Sequence, residues 1–168
     1  MKMASATGKG SLSRYGKQVI AISMYRKGEA FVGASILLRK TSNTEQVTYV
    51  ALHLFCQGVE LILKGLLLCK DYDKYKPWLR RLGHNLFKTA DETITTYQLN
   101  STRSALSGEL KTLSGLYSKH LLRYGTAYDL LVAPSSIPHE RLLRRVEAIM
   151  RLINRELRRF HDSTTDQT

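Results

Sequence analysis

The chain has 168 residues, 43% of them hydrophobic, which is enough for one domain with a complete core. Its 26 lysines and arginines against 14 acidic residues give a formal charge of +12. A charge of this size predicts an acidic partner, whether nucleic acid, an anionic surface or an acidic protein. No segment holds 18 consecutive apolar residues, so we expect no transmembrane helix and no membrane partner.

Composition divides the chain into three segments. Residues 1–28 carry six basic side chains, no acidic one and several glycines and serines, which is typical of a flexible basic arm. We place this arm over residues 1–25, a single helical domain over 26–161 and a disordered tail over 162–168. The first helix is predicted from Arg26 to Lys40, where apolar residues recur at helical spacing.

The central helix is predicted over Val47–Lys70, a long apolar stretch without proline. Its interior polar residues are spaced by four, three and four, and they are His53, Gln57, Glu60 and Lys64. At about 100° per residue this polar seam covers a sector of roughly 60°. It is either a solvated edge with Glu60 and Lys64 as a favourable pair, or the wall of a cleft.

Two cysteines, Cys56 and Cys69, lie on this predicted helix. Their 13-residue separation corresponds to about 20 Å, too far for a disulfide. We expect both to be buried small hydrophobes. Unpaired thiols fit a reducing compartment, and we expect a cytoplasmic location.

Residues 71–82 read as a short polar connector in which cations alternate with aromatic side chains. This composition suits contact with single-stranded nucleic acid, and the candidate residues are Lys74, Lys76, Trp78, Arg80 and Arg81. The alternative is a surface connector whose aromatic rings pack against the bundle.

Three further helices complete the predicted fold. They run from the segment 83–86 to about Tyr97, from Arg103 to Tyr124, and onward from Pro138. The last one carries a line of arginines that could contact nucleic acid, namely Arg144, Arg151, Arg155 and Arg158. Short connections and the lack of any strand pattern predict an all-α fold, a four- or five-helix up-and-down antiparallel bundle.

The familiar catalytic and metal-binding motifs are missing from the sequence. There is no phosphate-binding glycine loop, no zinc spacing of cysteine and histidine, and no serine in a nucleophile elbow. We therefore expect no metal site and no cofactor. Histidines and arginines remain, and metal-free RNA cleavage needs a base for the 2′-hydroxyl and a cation for the developing charge.

Three short motifs, taken in order, resemble the HEPN superfamily of small helical bundles over about residues 26–160. They are His53-Leu-x-x-Gln57-x-x-Glu60-Leu-x-Leu-Lys64, Gly83-His84-Asn85-Leu86 and Leu121-Leu-Arg123-Tyr124. The resemblance implies a bundle that often forms a homodimer. Many members are toxins, phage-defence or RNA-processing modules that cut RNA without metal, and others are inactive nucleotide-binding, antitoxin or adaptor domains.

The resemblance also implies a site. Cleaving members carry an arginine followed after four to six residues by a histidine; here Arg123 is followed five residues on by Tyr128, and no histidine lies in that window. The implied catalytic candidates are Arg123 and His84. The implied binding residues are His53, Gln57, Glu60, Lys64, Asn85, Tyr124 and Tyr128. In the structural alternative these side chains form a buried hydrogen-bond network with Glu60 paired to Arg123.

Three hypotheses follow from the sequence. The first is a HEPN-like protein that binds RNA or a nucleotide in a defence or toxin–antitoxin context, with a cognate antitoxin or effector as a further partner. The second is a metal-independent ribonuclease that pairs Arg123 with His84 or His120, or Arg155 with His161. The third is a non-enzymatic dimeric adaptor for an acidic protein.

Overall fold

The structure is a computed structural model that describes residues 11–41, 44–99 and 103–119. Five helices and no strands occur within these residues. They are α1 (Arg14–Thr41), α2 (Glu45–Lys70), α3 (Tyr72–Leu82), α4 (Leu86–Thr96) and α5 (Arg103–Ser118). The predicted all-α bundle is confirmed.

Helix α1 begins well before the predicted start at Arg26. Its first turn is closed by Ser13, whose side chain accepts a hydrogen bond from the Gly16 amide at 3.1 Å. Ala21 and Tyr25 are buried against α2, and Lys17 forms an ion pair with Asp73 of α3 at 2.6 Å. The predicted boundary at residue 25 is therefore wrong, and residues 14–25 belong to the folded domain.

Small residues bring α1 and α2 into backbone contact. A Cβ on Gly28 would lie 2.7 Å from the Gly58 carbonyl oxygen, and one on Gly65 would lie 2.9 Å from the Tyr25 nitrogen. The helices run antiparallel, and each repeats its small residues every seven positions. We call this contact the small-residue interface; its pairs are Ala21 with Gly65, Gly28 with Gly58, and Ser35 with Ala51. The Ser35 hydroxyl donates to the Ala51 carbonyl at 2.7 Å.

The core is built around α2. Its large buried side chains face α1, α4 and α5, and include Leu52, Phe55, Ile62 and Leu66. A second cluster joins the end of α2 to α1 and α3 through Ala21, Leu67, Leu68, Tyr75 and Leu79. Cys56 is buried as predicted, but Cys69 is exposed and the prediction is wrong there.

The predicted connector 71–82 is mostly helix α3. Asp71 caps it by accepting a hydrogen bond from the Lys74 amide at 3.0 Å. Tyr75 and Leu79 lie one turn apart and are buried, which anchors the helix to the second cluster. An equivalent cap starts α4, where the Asn85 side chain accepts from the Lys88 amide at 3.0 Å.

Within the described residues, one stretch, Val47–Lys70, is long and apolar enough to cross a membrane, although the sequence predicted none. About two-thirds of its most apolar window (67%) is buried inside the protein. A mostly buried core helix has the same length and composition, so these two properties alone do not argue for a membrane span.

Candidate functional site

The polar seam of α2 faces the interior and not solvent at Glu60, whose exposed fraction is only 4%. Its carboxylate is joined by side chains from α2, from the turn between α3 and α4, and from α5. We call this group the Glu60 cluster; its members are Glu60, Lys64, His84 and Tyr117.

Both carboxylate oxygens of Glu60 are hydrogen-bonded. Lys64 pairs with Oε1 and also donates to the Gly83 carbonyl at 2.7 Å. Tyr117 donates its hydroxyl to Oε2 at 2.6 Å, and His84 Nδ1 lies 3.0 Å from the same oxygen. These bonds compensate for the removal of the carboxylate from water.

The same contacts decide the protonation state of Glu60. Burial raises the pKa of the carboxyl, but hydrogen bonds from His84, Lys64 and Tyr117, together with the charge of Lys64, outweigh it. The net pKa lies below the ordinary value for glutamate. Glu60 is therefore an anion at neutral pH, although it is almost completely buried.

His84 is the most exposed member of the cluster, with 51% of its side chain accessible. It follows Gly83, whose φ of 61° lies in the region that favours glycine. Because an ionised carboxylate accepts from Nδ1, the neutral ring carries its proton there and its lone pair on Nε2. The ring also packs edge-on against Tyr117, with centroids 5.7 Å apart. Glu60 and Tyr117 thus fix both the tautomer and the orientation of the imidazole.

The other predicted binding residues near the seam take different places. The His53 ring is tilted against Tyr117 at a centroid distance of 5.7 Å, beside the cluster. Gln57 is half-buried. The side-chain oxygen of Asn85 caps α4, so that oxygen has a structural role.

The sequence did not single out Tyr117 as a site residue. In the sequence it lies four residues after Leu113 and four before Leu121, at helical spacing among leucines. The available signal was its hydroxyl, because a buried tyrosine usually finds a hydrogen-bond partner. In the structure Tyr117 is 4% exposed and that partner is Glu60, 57 positions earlier in the chain.

Helix α3 ends next to the Glu60 cluster and carries the predicted nucleic-acid contacts. Lys76, Arg80 and Arg81 are exposed. Lys74 is also exposed, but its ammonium lies 4.6 Å from the Tyr75 ring centroid and hydrogen-bonds the Tyr75 hydroxyl.

Trp78 lies differently from the cations of α3. It is half-buried, packs on the second core cluster and meets Tyr75 edge-on at 6.1 Å. Trp78 and Tyr75 therefore follow the alternative given for this segment, in which its aromatic rings pack against the bundle.

Several predicted site residues lie outside the described residues: Arg123, Tyr124, Tyr128, Arg144, Arg151, Arg155 and Arg158. The same holds for His120 and His161. Within residues 11–41, 44–99 and 103–119, no group of three or more histidine, cysteine or acidic side chains could hold a metal ion.

No protein-family model matches the chain, and comparisons with curated proteins and with solved structures give no significant match. The likeness to the HEPN superfamily therefore stays a prediction from the three sequence motifs.

Proposed function

We propose that this chain is a HEPN-like RNA- or nucleotide-binding protein of a defence or toxin–antitoxin context, acting as a homodimer in the cytoplasm. The observation that carries the proposal is the position of His84. It is half-exposed, held by a buried carboxylate, and follows directly on a helix with exposed cations.

Charge is distributed unevenly along α3, which favours an anionic ligand at its C-terminal end. Asp71 and Asp73 are at the N-terminal end, where one caps the helix and the other pairs with Lys17. Arg80 and Arg81 are in the last turn, four and three residues before His84. A phosphate group bound at this end of α3 would be attracted by the two guanidinium groups, and α3 itself carries no carboxylate there.

Removing the two arginines should weaken RNA binding and reduce its salt dependence. Each lost phosphate contact on a single strand lowers the slope of log affinity against log salt by about 0.7, so Arg80→Gln with Arg81→Gln should lower it by about 1.4. The measurement is fluorescence-anisotropy titration of single-stranded RNA over a series of salt concentrations.

The matched control removes two exposed charges from α1, as Lys27→Gln with Lys40→Gln. It has the same net charge as the α3 variant and should keep most of the wild-type slope. Equal losses in the two variants would assign binding to overall charge and not to α3. Absence of any binding at low salt would reject the proposal.

A second candidate, a metal-independent ribonuclease, is favoured by the orientation of His84. With its Nδ1 proton held by Glu60, the ring can take the proton of a ribose 2′-hydroxyl at Nε2. The 2′-oxygen then forms a bond to phosphorus while the bond to the 5′-oxygen breaks. The products are a 2′,3′-cyclic phosphate and a 5′-hydroxyl, whose oxygen takes a proton from water as it leaves, while the proton on His84 returns to solvent.

Cleavage by this route should persist in EDTA and depend on His84. We expect His84→Ala to slow it by about 100-fold or more, since a positioned base contributes that much. Lys88→Ala, an exposed neighbour on α4, is the control and should leave the rate unchanged. RNA that binds but stays intact with the wild-type protein would reject this candidate and leave the binding function standing.

A further inference from the structure

The outward side of α1 carries a line of exposed apolar side chains. Tyr15, Val19 and Ile22 recur at spacings of four and three residues, which places them on one side of the helix, and Leu12 lies two residues before the helix begins. Their exposed fractions are 42% for Leu12, 76% for Tyr15, 42% for Val19 and 51% for Ile22. We call these four residues the outer face of α1. The opposite side of the helix is buried against α2.

Charge restricts what can cover this face. Residues 1–28 contain six basic and no acidic side chains. Lys17 and Arg26 are paired with carboxylates, while Arg14 and Lys27 are exposed. A second copy in an antiparallel helix contact would bring two such basic segments together. The amphipathic segment 138–160 has seven arginines against three glutamates, so it too would add positive charge. Like-charge repulsion therefore disfavours both a second copy of the chain and the segment 138–160 as the group that covers this face.

We propose that the outer face of α1 docks the protein on an anionic phospholipid surface. The four apolar side chains enter the headgroup region, and the basic residues of the segment 1–28 attract the lipid phosphates. Tyrosine suits this depth because its ring is apolar and its hydroxyl is polar. The helix lies along the surface and α2 stays behind it in the core, so this contact requires none of the described helices to cross the membrane. A peripheral contact of this kind revises the expectation of no membrane partner.

Vesicle flotation of the full chain, treated with nuclease to remove bound RNA, tests the proposal. The protein should float with phosphatidylglycerol–phosphatidylcholine vesicles, float far less with phosphatidylcholine alone, and be released by salt. Tyr15→Ser and Ile22→Ser should each lower the partition coefficient by about fivefold, because each removes a half-exposed apolar group from the contact. Val50→Ser is the matched control, since Val50 on α2 has the same 51% exposure as Ile22.

Three results would overturn the proposal. One is equal flotation with neutral and anionic vesicles, or none with either. Another is an equal effect of Ile22→Ser and Val50→Ser. The third is a dimer, seen by analytical ultracentrifugation, that Ile22→Ser dissociates, which would assign the face to a second copy. Circular dichroism should show the helix content of each variant unchanged, because the replaced side chains lie on the surface.

Discussion

Replacing Glu60 with leucine should destabilise the protein by about 3–5 kcal/mol, the usual cost of breaking a buried ion pair from one side. The Lys64 side chain is only 14% exposed and Tyr117 is 4% exposed. Both lose the acceptor to which they donate, and the Lys64 ammonium loses its counter-charge in a setting with little water. Urea unfolding followed by circular dichroism measures the change.

Removing the second charge should recover much of this loss. A buried ion pair replaced by apolar groups of similar volume is often close to neutral, so Glu60→Leu with Lys64→Met should be more stable than Glu60→Leu alone. A double variant less stable than the single one would contradict the argument.

The Glu60 effect should also depend on pH in a defined direction. The folded-state pKa of Glu60 is lowered, so the ionised carboxylate contributes its full stabilisation above pH 4.5 or so and loses it as pH falls through the folded pKa. The difference in free energy of unfolding between wild type and Glu60→Leu should therefore become smaller as the pH falls below about 4.5. A difference that widens in acid would show that Glu60 does not act as an anion.

Replacing Gly28 with alanine should destabilise the protein by about 2 kcal/mol, although alanine is the better helix former. The new methyl group would lie 2.7 Å from the Gly58 oxygen, 2.7 Å from Ile62 Cγ1 and 2.8 Å from the Ile62 nitrogen. Two of these atoms are backbone, so the helices have to separate. A clash of about 3 kcal/mol, reduced by about 1 kcal/mol of helix propensity, gives the expected net value.

The same substitution five residues later should have the opposite sign. Gly33 is in the same helix, and a Cβ there meets no atom within 4 Å. Gly33→Ala should stabilise the protein by about 0.5–1 kcal/mol, because it restricts the unfolded chain without a clash. Thermal unfolding of the two variants side by side measures both effects. Stabilisation by both substitutions would mean that the small-residue interface does not limit the approach of the helices.

The sequence predicted the parts of the fold that rest on large apolar side chains at helical spacing. Helix α2 was found because its apolar stretch is long and free of proline, and α4 was found from the segment 83–86, in which Asn85 caps it. The resemblance placed Glu60 and His84 in one predicted site, but the partner named for Glu60 was Arg123. The structure shows Glu60 in contact with His84 and adds Tyr117.

Other features were missed for identifiable physical reasons. The first half of α1 uses small residues where an apolar stripe is expected, because the backbones themselves make the contact with α2. Helix α3 is polar and contains Pro77, and its hydrophobic anchors are only Tyr75 and Leu79, one turn apart. Prediction from a single sequence relies on the size of side chains and on their spacing. A contact made by glycines has no large side chain, so it leaves no such pattern.

Because small residues recur every seven positions in both helices, the small-residue interface alone allows more than one alignment of α1 against α2. A slide of seven residues, about 10 Å along the axis, would again set small residues opposite one another. Each observed pair, however, is symmetric about position 43, which lies between the end of α1 at Thr41 and the start of α2 at Glu45. A slide of seven residues in either direction would move the centre of the hairpin into one of the two helices. The three-residue link between them, and not the glycines, therefore selects one alignment out of a periodic set.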